Sequence, residues 1–255
     1  MTGGGGGIGR ATCIALAAAG AEVIVADIAE SAAATTCGAI IEQGGSAHAV
    51  ACDVTDEDSV MSLFDVAGGE RLDVLVNTAG VALAGDAVAA TIADWDHTFE
   101  VNVRGTWLCS RAFLARALEQ TDAGDRDAVI VNVSSTNAFM AETDSAAYTA
   151  SKGAVSALTR SMALDFARRG VRVNCVCPGI IATPMTARAF EATDDPDGLR
   201  RHWDNLHAIG RMGTPEDIAP VIVFLTTDDA RFIVGAEIVA DGGMSIGSRI
   251  EPPDA

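Results

Sequence analysis

The sequence predicts a doubly wound α/β domain, a parallel sheet covered by helices on both faces. Three observations carry that expectation. Short apolar runs bounded by turn residues alternate with helical patterns along the chain, and strands that are apolar throughout belong to a parallel sheet buried on both faces. A glycine-rich stretch, "TGGGGGIG", runs straight into a helical pattern, as a phosphate loop does. The length of 255 residues suits one α/β domain spanning 1–255.

Taken in order, a first helix starts near Gly7. The strand "AEVIVAD" (21–27) and a helix at 29–43 follow, then "SAHAVACDV" (46–54) and a helix at 56–66. "LDVLVNTAG" (72–80) leads into one long helical stretch reaching about residue 120. "DAVIVNVSS" (127–135), a helix at about 145–168, "VRVNCVCPG" (171–179), a helix at 215–226 and "AEIVADGG" (236–243) complete the alternation. Residues 121–127, "TDAGDRD", read as a solvated surface loop. Residues 183–212 are longer than an ordinary connection and mix apolar, aromatic and charged side chains, the makeup of a substrate lid. Before the glycines, where the alternation calls for a strand, only Met1 precedes Thr2.

The net charge of −18 argues against nucleic acid and acidic membrane surfaces as partners, since both are met by basic surface. No apolar run approaches the roughly 18 to 20 residues of a membrane span, and no charged-apolar-small leader precedes the glycines. The six cysteines show no paired metal spacing, so no metal site is predicted; they read as reduced, buried thiols of a cytoplasmic protein.

The strongest chemical signal is "YTASK". Tyr148 is the chain's only tyrosine and Lys152 its only lysine, all other basic side chains being Arg or His. On a helix the two lie on one face. A phenol near pKa 10 is a poor base at neutral pH, and lowering it by one unit requires about 1.4 kcal/mol. A neighbouring cation favours the phenolate. A compact ammonium with three donors can also reach a second partner, which the Arg fork does not reproduce.

With these residues in view, the chain resembles the classical short-chain dehydrogenase/reductase family over essentially its whole length. "TGGGGGIG", "CDVTD", "NTAG", "NVSS", "YTASK", "PGIIATPM" and the closing "DGG" match that family's elements in order. The resemblance implies a Rossmann fold, a nicotinamide dinucleotide cofactor and a homotetramer. It makes Tyr148 the general base for alcohol oxidation, or the acid for carbonyl reduction. Lys152 would lower the Tyr148 pKa and hold the nicotinamide ribose. Ser135 would hydrogen-bond the substrate oxygen, with Ser134 the competing candidate. Asn102, in "VNVRG", matches an asparagine that kinks a helix and holds a water of the proton relay; the alternative is an Asn capping a backbone group.

The register of the glycines is degenerate. Gly4, Gly6 and Gly9 satisfy G-x-G-x-x-G, while Gly3, Gly7 and Gly9, with Ile8 between, satisfy the family's T-G-x-x-x-G-x-G. Asp27, ending its strand, is placed to bind both adenosine ribose hydroxyls and to repel a 2′-phosphate; Arg10 is the one nearby cation that argues otherwise. NAD is therefore expected over NADP. By resemblance Asp53 and Val54 contact the adenine, and Asn77, Ala79 and Gly80 lie under the cofactor, with Thr78 replacing the commoner Asn. Pro178, Gly179, Ile181 and Thr183 border the nicotinamide. The substrate wall falls to Asn137, Glu142, Ser145, Met185 and Trp203 beside Ser135. Phe190 and His207 are further candidates, and His207 and Trp203 read equally as lid packing.

These assignments imply an NAD-dependent oxidoreductase interconverting a secondary alcohol and a ketone. A 3-oxoacyl carrier-protein reductase using NADPH is the alternative within the same chemistry, weakened by the acidic surface such a carrier would meet. A non-catalytic dinucleotide-binding protein is the alternative outside it. In the family an apolar strand of some six to eight residues precedes Thr2. The expectation is that the chain starts upstream of Met1, or otherwise that the central sheet carries a gap and binds NAD weakly.

Overall fold

The computed structural model describes residues 1–66, 71–122 and 128–247. In chain order its elements are α1 (Gly7–Ala18), β1 (Glu22–Asp27), α2 (Glu30–Glu42), β2 (Ser46–Ala51), α3 (Glu57–Val66), β3 (Val74–Asn77), α4 (Ile92–Phe99) and α5 (Thr106–Asp122). After these come β4 (Ala128–Val133), α6 (Ala146–Phe166), β5 (Val171–Pro178), α7 (Pro184–Glu191), α8 (Pro196–Leu206), α9 (Pro215–Thr226) and β6 (Glu237–Ala240). Of the surface loop expected at 121–127, residues 123–127 lie outside the described residues.

The apolar runs place side chains on both faces of the sheet, as their lack of alternation requires. In β4, Val129 and Val131 join the core formed with α1, α2 and α9, where Leu16, Ile40 and Ile222 pack. Ala128 and Ile130 point the other way, into the core of α3, α5 and α6 with Phe64, Phe113 and Met162. The result is the expected doubly wound αβα sandwich. Arg172, buried in β5, donates to the carbonyls of Leu225, Thr227 and Ala230. A cation at the C-terminal end of α9 meets the negative end of that helix dipole.

All strand pairs are parallel. One ladder joins β1 to β2 and a second runs β3-β4-β5-β6. Between them, where a first central strand was expected to be missing, Met1 and Thr2 make the join. Thr2 bridges both Ala26 and Asn77. Its N–H donates to Val76 O at 3.0 Å, and the Met1 carbonyl accepts from Ala26 N at 2.9 Å. Among the described residues the two ladders thus meet through two residues where their neighbours have four to eight.

The single helix expected before residue 120 is instead two, α4 and α5, separated by a π-helical turn at Glu100–Gly105. Such a turn inserts a residue into the helical ladder and marks functional positions. Here it carries Asn102. Beyond β5, α7 and α8 form a hairpin in the segment read as a lid, held by edge-on packing of Phe190 against Trp203 with 5.0 Å between ring centroids.

Candidate active site

The sheet delivers its carboxyl ends to one edge, where ligands of doubly wound folds bind. At the end of β4, Ser134 turns inward: its hydroxyl donates to Lys152 O at 3.0 Å and meets Ser156 Oγ at 3.2 Å. Ser135 lies beside Tyr148 and holds down the pKa of its phenol. Of the two serines, Ser134 is bonded into the α6 interface and Ser135 is the one beside the phenol. One helical turn separates Tyr148 from Lys152 on α6, with Nζ 5.5 Å from the centre of the phenol ring.

Lys152 is almost wholly buried and donates from Nζ to Val133 O at 2.9 Å. Burial lowers its pKa to about 8. Burial likewise pushes the Tyr148 phenol up to about 12; Ser135 pulls it back, and the Glu142 carboxylate adds to the rise. The lowering expected from the adjacent ammonium does not appear: burial dominates at both groups, and removing water disfavours the charged form of each.

Asn102 is buried in the π-helical turn. Its Nδ2 donates to Val81 O and Ser151 Oγ, both at 2.9 Å, and its Oδ1 accepts from Val81 N at 2.8 Å. One lone pair of Oδ1 is left, so the side chain mainly braces the segment after Gly80 against α6. A Cβ on Gly80 would stand 3.3 Å from Asn102 Oδ1 and 3.7 Å from Lys152 Nζ, which puts all three at one point of the site.

The glycine loop resolves its own register. Gly3 and Gly7 have φ of +63° and +50°, the left-handed region that side chains disfavour. A Cβ on Gly9 would lie 1.9 Å from Gly3 O. These are the positions Gly3, Gly7 and Gly9. No side chain caps the start of α1, and Gly6 borders open space, so the amides of Gly7, Ile8 and Gly9 are available to a phosphate. Asp27 receives Gly5 N–H on Oδ2 at 2.9 Å and Ala29 N–H on Oδ1 at 3.0 Å. Each oxygen keeps acceptor capacity at the half-exposed end of β1. These open amides beside an oriented carboxylate make a cradle that fits a dinucleotide.

The remaining cofactor positions divide. Thr183 caps α7 and stands 3.2 Å from where a Cβ of Gly7 would be, so the turn after β5 faces the loop. Within that turn Gly179 is closed in by Asp241, and Ile181 is buried and bridged to Gly213; Pro178 ends β5. Asp53 receives the Thr55 N–H and hydroxyl on Oδ1 at 2.9 and 2.7 Å, and Val54 is buried against Gly105. Ala79 backbone lies 2.7 Å from where a Cβ of Gly3 would be. The Asn77 side chain points away from the loop. Its Nδ2 donates to Asn132 Oδ1 and Ser110 Oγ inside the sheet–α5 interface, because its place in β3 turns it to the same face as Leu75.

The substrate wall also divides. Glu142 is exposed and acts on Tyr148 through its charge, and Met185 lies exposed on α7. Ser145 precedes α6 and is bridged to Gly85. Trp203 is packed on Phe190, and His207 is buried with Nδ1 2.7 Å from Trp203 O, contacts made within the 183–212 segment. Asn137 is buried and touches Ser135. Two contributors escaped the sequence reading. The Gly5 amide orients Asp27, and the Thr78 hydroxyl donates to Thr2 O at 2.5 Å; the departure of Thr78 from the commoner Asn was the available signal.

The profile described as enoyl-(acyl carrier protein) reductase matches residues 4–245. Cyclopentanol dehydrogenase of Comamonas sp. is 37% identical over 95% of this chain and 94% of its own. Meso-2,3-butanediol dehydrogenase of Serratia marcescens is also 37% identical, over 95% and 92%. Among solved structures, 3-ketoacyl-(acyl-carrier-protein) reductase from Brucella melitensis complexed with NADH superposes with a TM-score of 0.86 at 30% identity, covering 96% of each chain.

Proposed function

The chain belongs to the short-chain dehydrogenase/reductase family, and we propose that within it this enzyme interconverts a secondary alcohol and its ketone using NAD, with Tyr148 exchanging the hydroxyl proton. One arrangement carries the reading: the only tyrosine, set beside Ser135, stands one helical turn from the only lysine, and a glycine loop whose Gly5 amide holds Asp27 completes the site. The names of the relatives, a cyclopentanol and a 2,3-butanediol dehydrogenase, favour small neutral secondary alcohols. The carbonyl-thioester alternative is kept in view by the carrier-protein reductase among the solved structures.

A bound nicotinamide supplies the hydride acceptor or donor. The protein's residues do the rest. Gly3, Gly7, Ile8 and Gly9 would hold the pyrophosphate through backbone, and Asp27 would hold the adenosine ribose; Asp53 and Val54, Ala79 and Gly80, and the turn from Pro178 to Thr183 would line the remainder. Ser135 donates to the substrate oxygen and orients it toward Tyr148 Oη. In oxidation Tyr148 takes the hydroxyl proton; in reduction it returns one to the carbonyl oxygen. Lys152, anchored on Val133 O, places its charge where a phenolate would form. Asn102 fixes the Gly80–Val81 segment beside it. The segment 183–212 is proposed as the lid over the substrate.

The acidic ribose contact underlies the preference for NAD, since a 2′-phosphate beside Asp27 would add like charge. Trp107 on α5 and Leu164 on α6 are exposed at 43% and 84%. Beside Trp107 lies a groove of about 470 Å³ that contains none of the site residues; a homotetramer packed through these helices is the proposed assembly. Free, buried thiols at all six cysteines suit a reducing cytoplasm.

The test is a panel of cyclopentanol, cyclohexanol and 2,3-butanediol with NAD⁺ and NADP⁺, run beside an acetoacetyl thioester with NADH and NADPH. Turnover of an alcohol with NAD⁺, abolished in Tyr148→Phe, is the expected result. Thioester reduction with a large NADPH preference, or full activity in Tyr148→Phe, would overturn the reading.

A further inference from the structure

Asn137 lies two residues beyond Ser135 in a 3₁₀ turn and is 3% exposed. Its backbone N–H donates to Ser135 Oγ at 3.2 Å, and its Oδ1 accepts the Ser135 hydroxyl at 3.3 Å. Its Nδ2 donates to Thr149 Oγ1 at 3.4 Å, and Thr149 follows Tyr148 on α6. One buried amide therefore touches the serine from two sides and ties it to the helix that carries the tyrosine.

We propose that Asn137 is a positioning residue that sets the rotamer of the Ser135 hydroxyl and its separation from Tyr148 through Thr149; the inference rests on the catalytic reading given to Ser135 and Tyr148. A serine hydroxyl has one proton and rotates freely unless its acceptor and donor partners are fixed. Asn137 supplies one of each. The bond that holds the proton is longer than the usual 2.7–2.8 Å of O–H···O contacts, so a substrate oxygen can capture that proton without a large loss. The Asn137 N–H keeps Oγ in place while the proton swings. The amide thus prepares the group that meets the substrate oxygen.

Thr149→Val removes the hydroxyl at nearly constant shape and leaves the serine turn untouched; Thr149→Ser retains the hydroxyl. Asn137→Ala removes the side-chain bond to Ser135 and the link to α6 together. The measurements are kcat and KM for whichever panel alcohol turns over, the dissociation constant for NADH by titration calorimetry, and the thermal midpoint. Loss of a single orienting hydrogen bond corresponds to roughly 2- to 12-fold. The expected result is a fall of that size in kcat for Thr149→Val and a larger one, about 10- to 100-fold, for Asn137→Ala. NADH affinity should hold, and Thr149→Ser should stay near wild type.

Unchanged kcat in both Thr149→Val and Asn137→Ala overturns the proposal, as does a fall in kcat matched by an equal loss of NADH affinity, which would report a general collapse of the site. Tyr148→Phe runs alongside. If it is inactive while the Asn137 and Thr149 variants are unaffected, the positioning role fails alone; if it is active, the catalytic reading beneath it fails.

Discussion

Thr78 Oγ1 donates to Thr2 O at 2.5 Å, with Gly3 O a second acceptor at 3.4 Å. One hydroxyl after β3 thus fastens the residue that joins the two ladders and the first residue of the glycine loop. A Cβ on Gly9 would stand 2.7 Å from the same oxygen, so the hydroxyl sits inside the close packing of loop on helix. Thr78→Val keeps the shape and removes the donor. A typical intramolecular hydrogen bond contributes about 0.5–1.5 kcal/mol, and the expected outcome is NADH binding weakened by roughly 2- to 12-fold in calorimetric titration. Unaltered binding would mean that the loop keeps its shape without Thr78.

Asp27 governs the choice of dinucleotide. Its two oxygens are oriented by Gly5 N–H and Ala29 N–H, which fixes the carboxylate before any ribose arrives. Replacing it by Ser retains a small hydroxyl and removes the charge. Asp27→Ser should weaken NADH and strengthen NADPH, moving the ratio of their dissociation constants by at least about tenfold, on the order of 1.4 kcal/mol. A ratio unchanged in Asp27→Ser would place the discrimination elsewhere, with Arg10 the next residue to vary.

Most of the fold was legible because its signals are local. Apolar runs such as 128–133 are buried on both faces and so read as parallel strands without knowledge of their partners. Tyr148 and Lys152 were legible because the spacing of four on a helix is itself a contact. What escaped depends on which face of a strand a residue occupies. The "NTAG" motif does not tell that β3 turns the Asn77 side chain into the helix interface with Asn132 and Ser110. The irregular turn at Asn102 was legible only through the family resemblance, as a kink. Its side chain holds the backbone of Val81, 21 residues away, and no periodicity within the helix records that.

Glu142 offers a pH-based test of the base. Its carboxylate adds to the rise of the Tyr148 phenol, so neutralising it lowers the phenol's pKa. Oxidation needs the phenol deprotonated, and its rate therefore climbs with pH through that pKa. Glu142→Gln should move the rising limb of the kcat profile for alcohol oxidation toward lower pH and raise the rate at neutral pH. A limb that stays in place, or moves to higher pH, would separate Glu142 from the titration of Tyr148.

Lys152 sets function against stability. Burial brings its pKa from 10.5 to about 8, and each unit corresponds to about 1.4 kcal/mol, so the folded chain carries a penalty on the order of 3 kcal/mol for holding the charge. The penalty is present in full below pH 8, where both folded and unfolded chains are protonated. Between about 8 and 10.5 the unfolded chain binds more protons than the folded one, and stability rises with pH as the penalty is relieved. Lys152→Met fills the space with an uncharged side chain of similar length. It should raise the unfolding free energy at pH 7 by about 1–3 kcal/mol, less the bond to Val133 O, while removing activity. The gain should shrink as the pH approaches 10.5. Urea unfolding at pH 7 and pH 9.5 measures both; a variant less stable than wild type at pH 7 would show that the Val133 contact outweighs the buried charge.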